Sequence, residues 1–169
     1  MSVALVEFTS LDVSALRGLL RVQLQEELAL FERSQLLNHL HTSDATLNRM
    51  INYWQQEKNI RVWLAKEGQR VIGFSAGQLK ADIYNNCDVI TGELLAIYVE
   101  VDFRNNGVGN LLMTKAEQWM LQHGAHAANV SWLEGNSASQ ALYQKKGYTP
   151  VYVTGRKIFE AEDGGKRGG

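Results

Sequence analysis

Arg104-Asn105-Asn106-Gly107-Val108-Gly109-Asn110 is the stretch on which the reading of this chain turns. It follows an apolar, strand-like run, Glu93 to Val101, and opens an amphipathic helix, Gly107 to His123. A strand that turns through glycines into a helix N-terminus presents backbone N–H groups that have no intrahelical acceptor. With the positive end of the helix dipole, those donors suit a phosphate or pyrophosphate. Gly107 and Gly109 have no Cβ, so an anion can come close to their backbone. Arg104 adds a fixed positive charge and a forked donor. A dinucleotide fingerprint would need a glycine where Leu112 stands, and the chain has no G-x-x-x-x-G-K-[ST] run.

The pattern that does fit is R/Q-x-x-G-x-G/A after a strand, filled by Arg104, Gly107 and Gly109. A second segment accompanies it. After a strand-like run, Ala127 to Leu133, come Asn136-Ser137-Ala138-Ser139-Gln140-Ala141-Leu142-Tyr143 and then Gly147-Tyr148. In order and spacing the two segments resemble the pyrophosphate loop and the N-x-x-A-x-x-L-Y-x-x-x-G-F segment of the GNAT N-acetyltransferase superfamily. Ser139 replaces the usual alanine and Tyr148 the usual phenylalanine. The resemblance covers Glu93 to Tyr148 and fades before it. It implies an acyl-CoA N-acyltransferase fold, mixed α/β. That fold has a central, mostly antiparallel twisted sheet of six to seven strands and about four flanking helices.

The 169 residues suit one domain, expected over 1–160, with a glycine-rich, charged and disordered tail over 161–169. An apolar content of 45% is enough to build a core. The net charge of −1 argues against a nucleic-acid partner, which usually meets a basic face. The single cysteine, Cys87, cannot close an internal disulfide, so a reducing, cytoplasmic setting is expected. No apolar run reaches the ~20 residues of a membrane helix, and no leader pattern opens the chain, so no membrane is expected.

Periodicity places the remaining elements. Val3 to Phe8 reads as a strand, and Val13, Leu16, Leu20, Leu24 and Leu28 mark a helix over 11–28. Residues 29–42 suit a short helix or a loop. Ser43 is a credible N-cap for a helix from Asp44 to about Glu57. Strands follow at Arg61–Ala65, Val71–Leu79 and Val89–Val101, with turns at Glu67-Gly68-Gln69 and Asn85-Asn86-Cys87-Asp88. The helix opened by the glycine loop buries Val108, Leu111, Leu112, Ala116, Trp119 and Met120 and stops at Gly124. A helix over Ser137–Lys146 and a final strand or two over Tyr148–Phe159 complete the order β-α-α-β-β-β-α-β-α-β.

The resemblance also implies roles. Arg104 to Asn110 (Arg104, Asn105, Asn106, Gly107, Val108, Gly109 and Asn110) would hold the pyrophosphate of acetyl-CoA. The main chain of Ile97, Tyr98 and Val99 would bond the pantetheine arm, and a backbone N–H of Ile97 or Tyr98 would polarise the thioester carbonyl. Asn136 would cap the helix that follows it or bond the same arm. Tyr143 would act as general acid or hydrogen-bond donor toward the departing thiolate, with core packing as its plain alternative.

The base is less defined. Glu93 is the leading candidate beside a chain of waters, because Leu95 stands where related aminoglycoside enzymes often carry an acid. Glu26, Glu27 and Glu32, read as lying between the first two helices, join Asp82, Asp88 and Glu93 as a prospective acidic rim for a cationic amine. His39, His41, His123 and His126 have no metal-ligand spacing, so no metal is expected. Cys87 has no basic neighbour to make it a nucleophile. Trp54, Trp63, Trp119 and Trp132 read as core. The expected activity is acetyl transfer from acetyl-CoA to a primary amine by direct attack in a ternary complex, a small-molecule amine ahead of a protein amine. A non-catalytic CoA sensor is the rival, and the resemblance leaves a homodimer open.

Overall fold

Alternating residues set the sheet. In β2, Ile60–Glu67, the side chains of Ile60, Val62 and Leu64 join one buried cluster and those of Trp63 and Ala65 another. A strand apolar on both faces needs a layer on each side. The computed structural model describes residues 2–32, 43–82 and 86–154, without the side chains of 31–32 and 86–88. Around β2 stand β1 (Val3–Glu7), β3 (Arg70–Asp82), β4 (Asn86–Val99) and β5 (Ala125–Val130), in the order β1-β2-β3-β4-β5. The first three pairings are antiparallel, and β4 with β5 is parallel.

Helices α1 (Val13–Glu32) and α2 (Asp44–Gln56) cover one face through Leu16, Leu20, Leu47, Ile51 and Trp54. Ser43 caps α2 as its sequence predicts, its hydroxyl accepting from the Thr46 N–H. Helix α3 (Val108–Gln122) covers the other face through Val108, Leu112, Met113, Ala116 and Met120. Leu111, assigned to that face by periodicity, is exposed, and Met113 takes the buried position. Helix α4 (Ser137–Lys145) closes the α3 side with Leu142 and Tyr143.

Alternation slips in the middle of β4. Leu95 and Ala96 both pack against the α1/α2 cluster, while Leu94 and Ile97 belong to the α3 side. The register with β3 jumps in step, from Leu94 opposite Gly77 to Ala96 opposite Ala76. Leu95 is therefore the extra residue of a β-bulge, which bends the strand and strengthens its twist.

Five strands are seen among the described residues, not the six to seven expected. Tyr148–Thr154 forms no strand, and the rest of the expected final strand, with the tail over 161–169, lies outside the described residues. So do residues 33–42, with His39 and His41, and the turn residue Asn85. Asn86, Cys87 and Asp88 belong to β4 rather than to a turn. β4 ends at Val99, because the chain then tightens into a 3₁₀ turn, with Phe103 N–H bonded to Glu100 at 2.9 Å. Helix α1 continues to Glu32, since no glycine or proline interrupts it after Gly18. Glu26 and Glu27 thus sit on a helix, not in a connection.

Close packing of α3 relies on Gly92. A Cβ there would lie 2.7 Å from Met120 Cγ and 3.1 Å from its Cβ, too near its stem for the thioether tip to relieve. We expect Gly92→Ala to lower unfolding free energy by about 1–3 kcal/mol in urea titration. An unchanged midpoint would show that Met120 swings clear.

Candidate active site

The pairing of β4 with β5 stops at Leu94 opposite Val130. β4 runs on to Val99, bonded to β3 on one edge only. Alternate residues of such a strand turn their N–H and C=O toward the open side. A cavity of about 930 Å³ fills the gap. Its walls are Leu94–Val99, the loop leading into α3, Ser131–Leu133 after β5, the first turns of α4, and Gln23, Glu26, Glu27 and Leu30 of α1. A smaller cavity of about 230 Å³, by Trp63 and Lys115, contains the Arg61–Glu7 ion pair.

The loop carries two left-handed residues with one residue between them: Asn105 at φ 63° and Gly107 at φ 81°. Asparagine tolerates that region better than other side chains, and glycine enters it freely. Such a turn gathers successive N–H groups into an anion-binding concavity. The first helical bond closed at this end is Leu111 N–H to Gly107 C=O, 3.0 Å, which leaves the N–H groups of the first turn without intrahelical acceptors. A Cβ on Gly107 would meet no protein atom within 4 Å, so it would project into open space at the loop. The chemistry fits a pyrophosphate.

Arg104 is engaged within the protein. Its Nε donates to the Val99 carbonyl at 2.9 Å, and Nη2 donates to both Glu26 oxygens at 3.0 and 2.7 Å. Its guanidinium lies 5.3 Å from the Tyr98 ring centroid. The Tyr98 hydroxyl donates to the same Glu26 carboxylate at 3.0 Å. Burial, reinforced by that carboxylate, pushes the Tyr98 phenol up to about 12. Arg104 therefore ties α1 to the end of β4, where the sequence alone suggested a cation directed at the anion.

Tyr143 is 5% exposed and lines the cavity. Its ring packs against Trp132, 5.7 Å between centroids, and against Tyr148, 6.1 Å. Burial raises its phenol to about 12, the charge of Glu27 adds to the rise, and a hydrogen bond with Ser139 opposes it. Asn136 caps α4, its Oδ1 accepting from Ser139 N–H at 3.1 Å, and also lines the cavity.

Of the residues singled out in the sequence, the cavity brings together Ile97, Tyr98, Val99, Arg104, Asn105, Gly107, Gly109, Asn110, Asn136 and Tyr143. Asn106 is turned back, its amide donating to the Arg104 carbonyl at 3.3 Å, and Val108 is core. Glu93 does not line the cavity and is ion-paired with Lys80. The six-membered acidic rim does not assemble. Glu26 and Glu27 reach the cavity, Asp82 is buried beside His126 at 3.6 Å, and the side chains of Glu32 and Asp88 lie outside the described residues. Among the lining residues that the sequence reading did not assign to the site are Gln23, one turn from Glu27, Lys145 of α4, and Trp132, read as core. Among the described residues no group of three potential ligands could hold a metal ion, and no helix is long and apolar enough to cross a membrane.

The sequence model of the Acetyltransferase (GNAT) family matches residues 24–148, and the chain belongs to that family. Acetyltransferase SG1711 of Sodalis glossinidius (strain morsitans) is 22% identical over 142 residues, 82% of this chain and 92% of that protein. Acetyl transferase GW6a of Oryza sativa subsp. japonica is 36% identical over 63 residues, 37% of this chain; the match spans only 15% of the rice protein. The solved structure of AAC(6')-Iy in complex with the bisubstrate analog CoA-S-monomethyl-acetylneamine superposes with a TM-score of 0.68 at 21% identity, covering 96% of this chain and 99% of that one. That last likeness is one of fold.

The loop geometry makes Gly107 a test of anion binding. An alanine there would strain a left-handed backbone by about 1–2 kcal/mol. It would also place a methyl in the open space at the loop. We expect Gly107→Ala to weaken CoA binding at least about tenfold by calorimetry, with 3′-dephospho-CoA equally affected because the pyrophosphate is retained. An unchanged affinity would remove the loop from the binding site.

Proposed function

We propose that this chain is an acetyl-CoA-dependent N-acetyltransferase. It moves the acetyl group to a primary amine of a small molecule by direct attack in a ternary complex. One observation carries the reading. A single cavity joins the open edge of β4, the glycine loop at the α3 N-terminus and the buried side chain of Tyr143. Family membership supports acetyltransferase activity in general; the donor, the acceptor class and the residue roles are proposed here.

Acetyl-CoA brings the activated thioester. The first-turn N–H groups of α3 and the left-handed loop bind its pyrophosphate. The outward main-chain groups among Ile97, Tyr98 and Val99 align the pantetheine arm as an added strand would be aligned, and one N–H there steadies the oxyanion. Asn136 is already committed to capping α4, so its part is to hold Tyr143 in place.

Tyr143 serves the leaving sulfur. Its phenol stands at about 12, against about 8.5 for an ordinary thiol. Moving the proton fully to a thiolate is then uphill by roughly 5 kcal/mol. A hydrogen bond donated to the developing charge is the larger contribution. Glu93, held by Lys80 away from the cavity, takes no part in this scheme.

Incubation with acetyl-CoA and a panel of polyamines, aminoglycosides, amino sugars and lysine peptides, read by thiol release and product mass, tests the proposal. The expected result is acetylation of a small amine. Tight CoA binding without turnover on any amine would favour a sensor. With the best amine, Tyr143→Phe should lower kcat by about 10–100-fold and leave the acetyl-CoA KM within about threefold. An unchanged kcat would reduce Tyr143 to packing.

A further inference from the structure

Two carboxylates reach the cavity, and they differ in what neutralises them. Glu26 is held by Arg104 and by the Tyr98 hydroxyl. Glu27 has no cationic partner among the described residues. Its Oε1 accepts from Gln23 Nε2 at 2.9 Å, one turn earlier on α1. Gln23 Oε1 is buried without a hydrogen-bond partner, so the amide is turned toward Glu27 although its own carbonyl goes unsatisfied. Glu27 and Tyr143 line the same cavity, and the Glu27 charge adds to the rise that burial gives that phenol. A half-buried, oriented and unneutralised carboxylate therefore faces the same space as the hydroxyl assigned to the leaving sulfur.

We propose that Glu27 receives the acceptor, pairing with the ammonium form of a cationic primary amine and taking one proton from it. This rests on the acetyltransferase reading above. The ammonium loses a proton to Glu27, and the freed nitrogen lone pair forms the C–N bond while the carbonyl π pair moves to oxygen. Collapse of that intermediate breaks the C–S bond and leaves the electron pair on sulfur. The nitrogen sheds its second proton as the sulfur gains one, with Tyr143 bonded to the sulfur. Glu27 then gives its proton to solvent, so each turnover releases one proton.

The surroundings favour this part. Burial raises Glu27 above the ordinary carboxylate range, and the neighbouring Glu26 charge adds to the rise, while the Gln23 bond opposes it. A carboxylate raised in this way is a better proton acceptor when ionised. The groups facing it are Gln23 and Glu26 from α1, Tyr143 from α4, and Tyr98 with Arg104 beyond Glu26; Lys145 of α4 also lines the cavity.

The test compares wild type, Glu27→Gln and Glu27→Asp for binding of CoA, and for binding of spermidine and tobramycin to the CoA-bound protein, by calorimetry. For whichever amine is acetylated, kcat/KM is followed against pH. Support would be unchanged CoA affinity, amine affinity at least about 30-fold weaker in Glu27→Gln, and partial recovery in Glu27→Asp. In wild type, kcat/KM should fall on acidification through the free-enzyme Glu27, above the usual carboxylate value of about 4.3, and Glu27→Gln should lose that limb. Equal amine affinity in Glu27→Gln, or a retained acidic limb, overturns the assignment. If wild type binds CoA but neither amine, the assignment also falls while the CoA site stands. If wild type does not bind CoA, the reading beneath it falls as well.

Discussion

Beyond Leu94, β4 has a hydrogen-bonded neighbour on one side only, and the arrangement of the cavity follows from that. The bulge at Leu95 turns the strand as β5 ends at Val130. The opened edge offers ordered donors and acceptors that no side chain could mutate away. Because β4 and β5 are parallel, the chain must cross over between them, and α3 is that crossover. A crossover helix begins at the carboxyl end of the strand it leaves. The N-terminus of α3 and the open edge of β4 are therefore placed at the same end by connectivity. Binding at such a point, where neighbouring strands diverge, is the general habit of sheets with parallel pairs.

The charged groups close this arrangement from the helical side. Arg104 meets Glu26 across 78 residues of sequence and stacks on Tyr98, so one cluster joins α1, β4 and the glycine loop. Both partners of the ion pair are partly exposed, at 34% and 43% of their side-chain surface, which limits its contribution to stability to about 1 kcal/mol. Its larger consequence is geometric. The buried Leu16, Leu19 and Leu20 seat α1 on the sheet, the Glu26 pair ties its C-terminal half to the glycine loop, and Glu27 and Gln23 beside it line the cavity.

Local chemistry was legible in the sequence wherever a residue type is demanded by backbone geometry. Gly124 marks a helix end, and Ser43 and Asn136 are caps whose side chains do accept the expected bonds. Periodicity placed α1, α2 and α3. What stayed hidden depends on contacts between distant segments. Nothing local in Arg104 announces Glu26, and nothing in Glu93 announces Lys80, which sits diagonally across on β3, two residues beyond its direct partner Gln78. The Leu95 bulge was illegible for a related reason. In an apolar run such as Glu93 to Val101, a slip of one residue leaves the pattern apolar on both faces.

The acid–base character of the cavity is likewise a tertiary property. Tyr143 and Glu27 lie on helices separated by most of the chain, yet each bears on the titration of the cavity. Burial, with the carboxylate's charge added to it, makes the phenol harder to ionise, which keeps Tyr143 a donor up to about pH 12, far above the point at which a carboxylate ionises. An environment that holds one group protonated and leaves its neighbour free to exchange a proton separates their roles without any change of residue type. In the proposed reaction the two roles are needed at opposite ends of one event, nitrogen losing a proton as sulfur gains one. The parted strands supply the space between those ends, and α1 and α4 supply one group to each.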